Sequence, residues 1–147
     1  MVGVLTDKQI DHVLLSQIIG RLGTCVDDKI YIVPVSYVYH EGYIYARAKE
    51  GMKVEMMRQN PNVCFQVDAI DNMANWRSVI VWGEYEELDD IVQQNEGSKI
   101  MSDRFEPYAM SATVTPSPHP TSGEKGLRAV VFRIRITEKT GRYEKSE

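Results

Sequence analysis

Between Ile30 and Lys53 the chain reads IYIVPVSYVYHEGYIYARAKEGMK, two aromatic-rich β segments joined by a tight turn. Tyr31, Val33, Val35, Tyr37 and Tyr39 alternate along the first segment, so they share one face of a strand predicted from Ile30 to His40. His40-Glu41-Gly42 reads as a short hairpin loop with glycine in the left-handed position, and a second strand follows from Tyr43 to Ala48. Pro34 falls inside the first strand, where it has no N–H for a sheet ladder. It therefore marks a bulge or an edge. Either neighbouring backbone groups there are open to another partner, or the proline simply protects an edge strand.

The second strand runs through Ala46-Arg47-Ala48 toward Gly51-Met52-Lys53, the start of a helix predicted from about Gly51 to Gln59 and stopped by Asn60-Pro61. Such a junction suits a phosphate. The first turn of a helix presents unpaired N–H groups and the positive end of a dipole, and Arg47 and Lys53 can add charge-assisted hydrogen bonds. The competing reading is that both are solvated surface charges, the usual fate of Arg and Lys.

The remaining pattern is α+β with mostly antiparallel strands. Thr6 and Gln9 form a Thr-x-x-Gln capping box ahead of Ile10, Val13, Leu14, Gln17 and Ile18, which predicts a helix of about three turns ending near Gly20. Arg21–Val26 leads to an Asp27-Asp28-Lys29 turn, and Asn62–Asp68 is another strand. After a polar loop, DNMAN, a bent strand is predicted from Trp76 to Leu88 with Gly83 as bulge or corner. A polar helix from near Asp89 to Phe105 and a long irregular loop from Ser111 to Gly126 follow. The strand Ala129–Thr137 closes the domain, with Phe132, Ile134 and Ile136 on one face and Arg133 and Arg135 on the other. Six strands with a few helices and no βαβ rhythm point to a small antiparallel barrel, one domain over residues 1–147.

Composition sets the bounds. At 147 residues and 43% hydrophobic content the chain can bury a core without staples. No apolar run approaches the roughly 18 residues of a membrane span, and the N-terminus lacks a signal-peptide pattern, so the expected location is the cytoplasm. A net charge of −4 argues against general nucleic-acid binding. Cys25 and Cys64 read as small core residues with free thiols, a redox pair being the other reading. His12, His40 and His119 have no HxxxH, HExxH or Cys-His spacing, so no metal site is expected. Met52, Met56 and Met57 read as helix packing, and Trp76 and Trp82 as core or interface anchors.

Taken in order, GRLGTCVDD, the Ile30–Asp68 stretch with NPNVCF, NWRSVIVWGEYEEL and the closing VVFRIRITEKTGRYEK resemble the flavin-binding split-barrel family related to pyridoxamine 5′-phosphate oxidase. Within it the likeness is to the nitroimidazole-resistance-like branch, and it covers about Gly20 to Lys145. The resemblance implies a six-stranded antiparallel split β-barrel of Greek-key type with flanking helices, and a homodimer holding FMN between subunits. Val33, Pro34, Val35 and Ser36 are then expected to contact the isoalloxazine ring, with backbone amides near Val35 and Ser36 polarising it. Tyr45, Ala46, Arg47 and Ala48 line the ribityl and phosphate path, and Gly51 and Lys53 hold the phosphate. Trp76, Arg77 and Ser78 approach the flavin from the partner subunit.

The implied activity is electron transfer from a small-molecule donor through FMN to a small planar acceptor such as a nitro-aromatic, a flavin or a quinone. No side chain stands out as acid or base. True pyridoxamine 5′-phosphate oxidases are alike in a C-terminal extension with Arg- and His-bearing motifs, whereas this chain ends EKTGRYEKSE, so vitamin B6 oxidation is not expected. The rival readings are a flavin carrier or sensor without turnover, and a haem-binding barrel, which needs an axial ligand.

Overall fold

The Gln9 N–H donates to the Thr6 hydroxyl at 3.3 Å and the Thr6 N–H to the Gln9 side-chain oxygen at 2.8 Å, so helix α1 (Asp7–Ser16) opens on the capping box written in its sequence. The computed structural model describes residues 1–109 and 129–147. Its strands are β1 (Val2–Val4), β2 (Ile19–Val26), β3 (Lys29–Ser36), β4 (Val38–His40), β5 (Tyr43–Lys49), β6 (Asn62–Asn72), β7 (Asn75–Glu87) and β8 (Ala129–Glu144). Two more helices, α2 (Met52–Gln59) and α3 (Ile91–Ala109), complete it. The expected irregular loop Ser111–Gly126 and His119 lie outside the described residues.

All pairings are antiparallel, in the order β3-β2-β6-β7-β8-β5-β4, with β1 also on β8. The two outer strands, β3 and β4, are consecutive in the chain and meet at Tyr37. The sheet thus curls until its ends approach, β3 coming against β5 without a ladder between them. This is the expected split barrel. It has eight strands rather than six among the described residues, and the sheet does not close.

The extra strands have local causes. Tyr37 breaks the expected Ile30–His40 strand in two: its N–H donates to the Ile18 carbonyl at 2.9 Å and its hydroxyl to the Leu14 carbonyl at 2.6 Å, committing it to the core. β1, at three residues, is too short to show a period in the sequence, and it is held by the far end of β8, which continues to Glu144 rather than stopping at Thr137. α1 likewise ends at Ser16 and not near Gly20. Gln17 is already extended (φ −111°, ψ 162°), because Ile19–Val26 gains a full ladder with β3 and Gly20 packs against the Phe65 ring. β6 runs through Asp71 and Asn72, which the sequence had assigned to a polar loop, leaving only a tight turn before β7. The Gly83 bulge is present, as a register shift between Trp82 and Gly83 on β8.

The main core, with Leu14, Leu22, Tyr37, Met57, Phe65 and Phe132, fills the barrel, and burial pushes the Tyr37 phenol well above its ordinary pKa. A smaller core of Val38, Tyr45, Leu88 and Met101 seats α3 on the outside of β4, β5 and β8. The cysteines are not core residues: Cys64 is exposed and Cys25 half-buried, because both point to the outer face of the β2–β6 pair. Met56 and Met57 pack as expected, whereas Met52 is exposed. Among the described residues, no helix is long and apolar enough to cross a membrane.

Candidate functional site

The open seam between β3 and β5 carries Val33, Pro34, Val35 and Ser36 on one edge and Tyr45, Ala46, Arg47 and Ala48 on the other. β3 has a strand neighbour, β2, on one side only. The two strands are joined by a two-residue turn at Asp27 (φ 51°) and Asp28 (φ 64°), so the flanking pair Val26/Lys29 is hydrogen-bonded and, at period two, so are Tyr31, Val33 and Val35. Pro34 and Ser36 therefore aim their backbone groups outward, at the seam. This is why Pro34 is tolerated: its missing N–H falls where β2 does not need it. Of the two amides expected near the ring, the register commits Val35 to β2 and leaves the Ser36 N–H facing outward.

The other side of the seam follows the same logic. Glu41 (φ 48°) and Gly42 (φ 82°) make a two-residue turn, so Tyr43 and Tyr45 bond to β4. That ladder ends at the Val38/Tyr45 pair, so the backbone groups of Arg47 on this edge face no described strand. Behind the two edges, Val35, Ala46 and Ala48 are buried together in the main core, and Tyr45 seats α3.

Beyond Lys49 the chain reaches α2, which differs from α1 at its start. Gly51 is the N-cap in an extended conformation (φ 171°) and no side chain caps the helix. The first helical bond is from the Glu55 N–H to the Gly51 carbonyl at 3.0 Å, so the amides of Met52, Lys53 and Val54 lack intrahelical acceptors. Arg47 is exposed and Lys53 half-buried. Neither has a hydrogen bond or ion pair to another described residue. An added Cβ at Gly51 would meet only the Lys49 carbonyl oxygen, at 3.9 Å, so the space over the helix start is open. The three amides, with Lys53 in the same first turn and Arg47 ahead of it on β5, are donors of the kind that hold a phosphate.

A cluster that sequence reading missed borders this site. Arg58, in the last turn of α2, donates to both oxygens of Glu50 at 2.9 Å and to Glu87 of β7 at 2.7 and 3.0 Å. The Tyr85 hydroxyl also donates to Glu87 at 2.7 Å. Its hydrogen bonds to Glu87 and then to Glu50 raise the Arg58 pKa. No sequence signal joins residues 50, 58 and 87, since the fold brings them together.

Trp76, Arg77 and Ser78 stand apart from the seam in the single chain. They lie on β7, with β2 and β6 between them and β3. The Trp76 indole donates to Glu144 at 3.2 Å, and Ser78 accepts from Gln66 at 3.0 Å. Trp76 and Arg77 line a cleft of about 450 Å³ with Leu5, Gln9 and Tyr143, which none of the other predicted residues reaches. A second groove, of about 470 Å³, crosses the outer face of the sheet past Ile30, Ile32, Cys64 and Trp82.

Residues 6–143 match the family model described as pyridoxamine 5′-phosphate oxidase. The crystal structure of an FAD-binding protein from Mesorhizobium loti is 31% identical, with a TM-score of 0.76 over 99% of this chain and 98% of that one. A protein of Bacteroides thetaiotaomicron named as a 5-nitroimidazole antibiotic resistance candidate shares the fold at 18% identity, with a TM-score of 0.73 over 97% and 87% of the two chains. An uncharacterized protein of Rhizobium meliloti is 34% identical over 87 residues, and the match spans 59% of this chain and 58% of that protein's length.

Proposed function

The chain belongs to the pyridoxamine 5′-phosphate oxidase family, and on that premise we propose that it is an FMN-binding oxidoreductase with the flavin phosphate at the start of α2. The observation that carries the reading is the contrast between the two helices. α1 has a complete capping box, whereas α2 starts on an uncapped glycine beside Arg47 and Lys53, two cations without a described partner. Uncapped amides next to unused positive charge are what an anionic ligand needs.

From that anchor the rest of the site is read outward. Tyr45–Ala48 flank the ribityl path, and the Val33–Ser36 edge, with the outward Ser36 N–H, meets the ring. Trp76, Arg77 and Ser78 come from a second subunit, which accounts for their separation from the seam in one chain. An exposed apolar face supports a homodimer: Ile30 is 72%, Ile32 65% and Trp82 39% exposed, on the outer side of the sheet. When bound, FMN supplies the redox chemistry, taking electrons from a small donor and yielding them to a planar acceptor such as a nitro-aromatic, flavin or quinone. The protein binds and orients it; the Ser36 N–H donates toward the ring, and Arg47, Lys53 and the α2 amides neutralise the phosphate.

FAD is the second reading, favoured by the 31% identical Mesorhizobium loti protein. FMN fits better with a single compact anion site. The mass and absorption spectrum of the chromophore that co-purifies with the protein decide between them. Stopped-flow mixing then tests turnover. Reduced holoprotein should be reoxidised by a nitro-aromatic or quinone faster than by oxygen, and failure of every small acceptor would make the protein a flavin carrier or sensor.

A further inference from the structure

We propose that Arg142 is the cation that one subunit presents to the flavin ring held by the other, in the groove it shares with Trp76 and Ser78. This rests on the reading of the flavin site as composite, with the Trp76–Ser78 segment supplied by the second subunit. β7 alternates, and Val79 and Val81 are fully buried in the main core, so Trp76, Ser78, Ile80 and Trp82 lie on the outer face of the sheet. Arg77 falls on the other face, opposite Tyr143 of β8. Residues directly opposite in an antiparallel pair share a face, and Ser78 pairs with Arg142. Trp76, Ser78, Ile80 and Arg142, with Thr140 and Gly141, line a groove of about 200 Å³ that Arg77 does not line. The cation beside Trp76 and Ser78 on this face is therefore Arg142, from the neighbouring strand.

Arg142 is exposed in the single chain and makes no hydrogen bond or ion pair with a described residue. Its neighbours in the groove have partners of their own: the Ser78 hydroxyl accepts from Gln66 at 3.0 Å, and the Trp76 indole donates to Glu144 at 3.2 Å. The same face continues through Trp82 to Ile32, the apolar surface that supports a dimer. An arginine covered by such an interface is costly unless it meets a negative group. A flavin ring gains negative charge on reduction, and a guanidinium beside it favours that form. The phosphate has its own donors at the start of α2, whereas Trp76 and Ile80 give the groove the apolar area that suits a ring.

The test compares wild type, Arg142→Gln, Arg142→Lys and Arg77→Gln by fluorescence titration with FMN and riboflavin, by the reduction potential of the bound flavin, and by sedimentation. Arg142→Gln should weaken oxidised FMN and riboflavin alike, by about threefold or more. It should weaken the reduced flavin about tenfold further, which lowers the two-electron potential by ~30 mV. Arg142→Lys keeps the charge and should restore most of the potential. Co-expressing Arg142→Gln with Lys53→Ala subunits then separates the two halves of the site. The mixed dimer has one site with both halves intact, so half of its sites should bind FMN as wild type does; no such site would put both residues in one half and overturn the proposal. A loss confined to FMN, an unchanged potential, or a potential lowered by Arg77→Gln in place of Arg142→Gln overturns it with the composite reading intact. A monomeric wild type that binds FMN tightly overturns both. Should Arg142→Gln not dimerise with itself, the weaker half of the mixed dimer decides: FMN binding below that of the Lys53→Ala dimer supports the proposal, and equal binding overturns it.

Discussion

Gly51→Asp should stabilise the protein without flavin and abolish tight FMN binding, two effects of opposite sign from one carboxylate. The backbone permits the change. Gly51 is extended at φ 171°, which any residue adopts, and a Cβ there meets only the Lys49 carbonyl at 3.9 Å. An aspartate at this N-cap can accept from the Lys53 or Val54 amide and oppose the dipole, a gain over glycine of ~0.5–1 kcal/mol. In a domain of this size that corresponds to a rise in Tm of about 1–4 °C. For binding, a carboxylate ~5 Å from a phosphate oxygen at an effective dielectric of ~20 costs roughly 3 kcal/mol per charge pair, more than a hundredfold in Kd. Calorimetry of the flavin-free protein and fluorescence titration with FMN and riboflavin read the two effects separately. Gly51→Ala, which adds no charge, should keep FMN binding. A more stable Asp variant that still binds FMN as tightly as wild type would refute the reasoning, because the phosphate would then lie elsewhere.

Arg47→Ala and Lys53→Ala should each weaken FMN by roughly 1.5–3 kcal/mol, the scale of a charge-assisted hydrogen bond, with the larger loss at half-buried Lys53. Titration with riboflavin checks the assignment, and equal losses for both flavins would place these residues outside the phosphate site. Analytical ultracentrifugation should find a dimer whose flavin content follows dimerisation, and Ile32→Asp, on the exposed outer face, should give a monomer with little FMN; a monomer that binds FMN tightly would contradict the composite site. Burial raises the Tyr37 phenol above its ordinary value of about 10, so the stability it lends is complete below that pH and is lost as pH rises toward the higher folded value. Denaturant titrations at neutral and alkaline pH should show Tyr37→Phe flattening that alkaline loss, at roughly 1–2 kcal/mol of stability near neutrality from the unpaired Leu14 carbonyl.

Features that depend on neighbours in the chain were legible in the sequence. The Thr6/Gln9 box, the Glu41-Gly42 turn and the Gly51 and Asn60 limits of α2 each follow from a few adjacent residues. What misled was periodicity without partners. Gln17 and Ile18 continue a helical pattern, but a ladder with β3 satisfies more of the backbone than one further turn of helix. The β2 sequence IGRLGTCV has small or apolar residues on both faces, so alternation could not show that Cys25 points outward. The opposite signal was present in β3, where Ile30 and Ile32 fall on the face away from Tyr31 and Val33 and are exposed.

The candidate site was legible as a set of local omissions in the sequence, whereas its shape was not. Pro34 withholds an N–H at an outward position of β3, Gly51 withholds a cap from α2, and Arg47 and Lys53 lack described partners. Gly51 leaves the α2 amides uncapped and the two cations carry charge without a described partner, whereas Pro34 removes a donor at a position that β2 does not use. The Glu50–Arg58–Glu87 cluster is the reverse, a set of groups that satisfy one another only after β7 has come beside α2, so no local pattern announces it. Omitting a cap forgoes only a few tenths to ~1 kcal/mol, whereas a ligand at a hundred times its Kd stabilises the fold by about 2.7 kcal/mol. An open helix start therefore makes physical sense where a bound anion takes over the role of the cap.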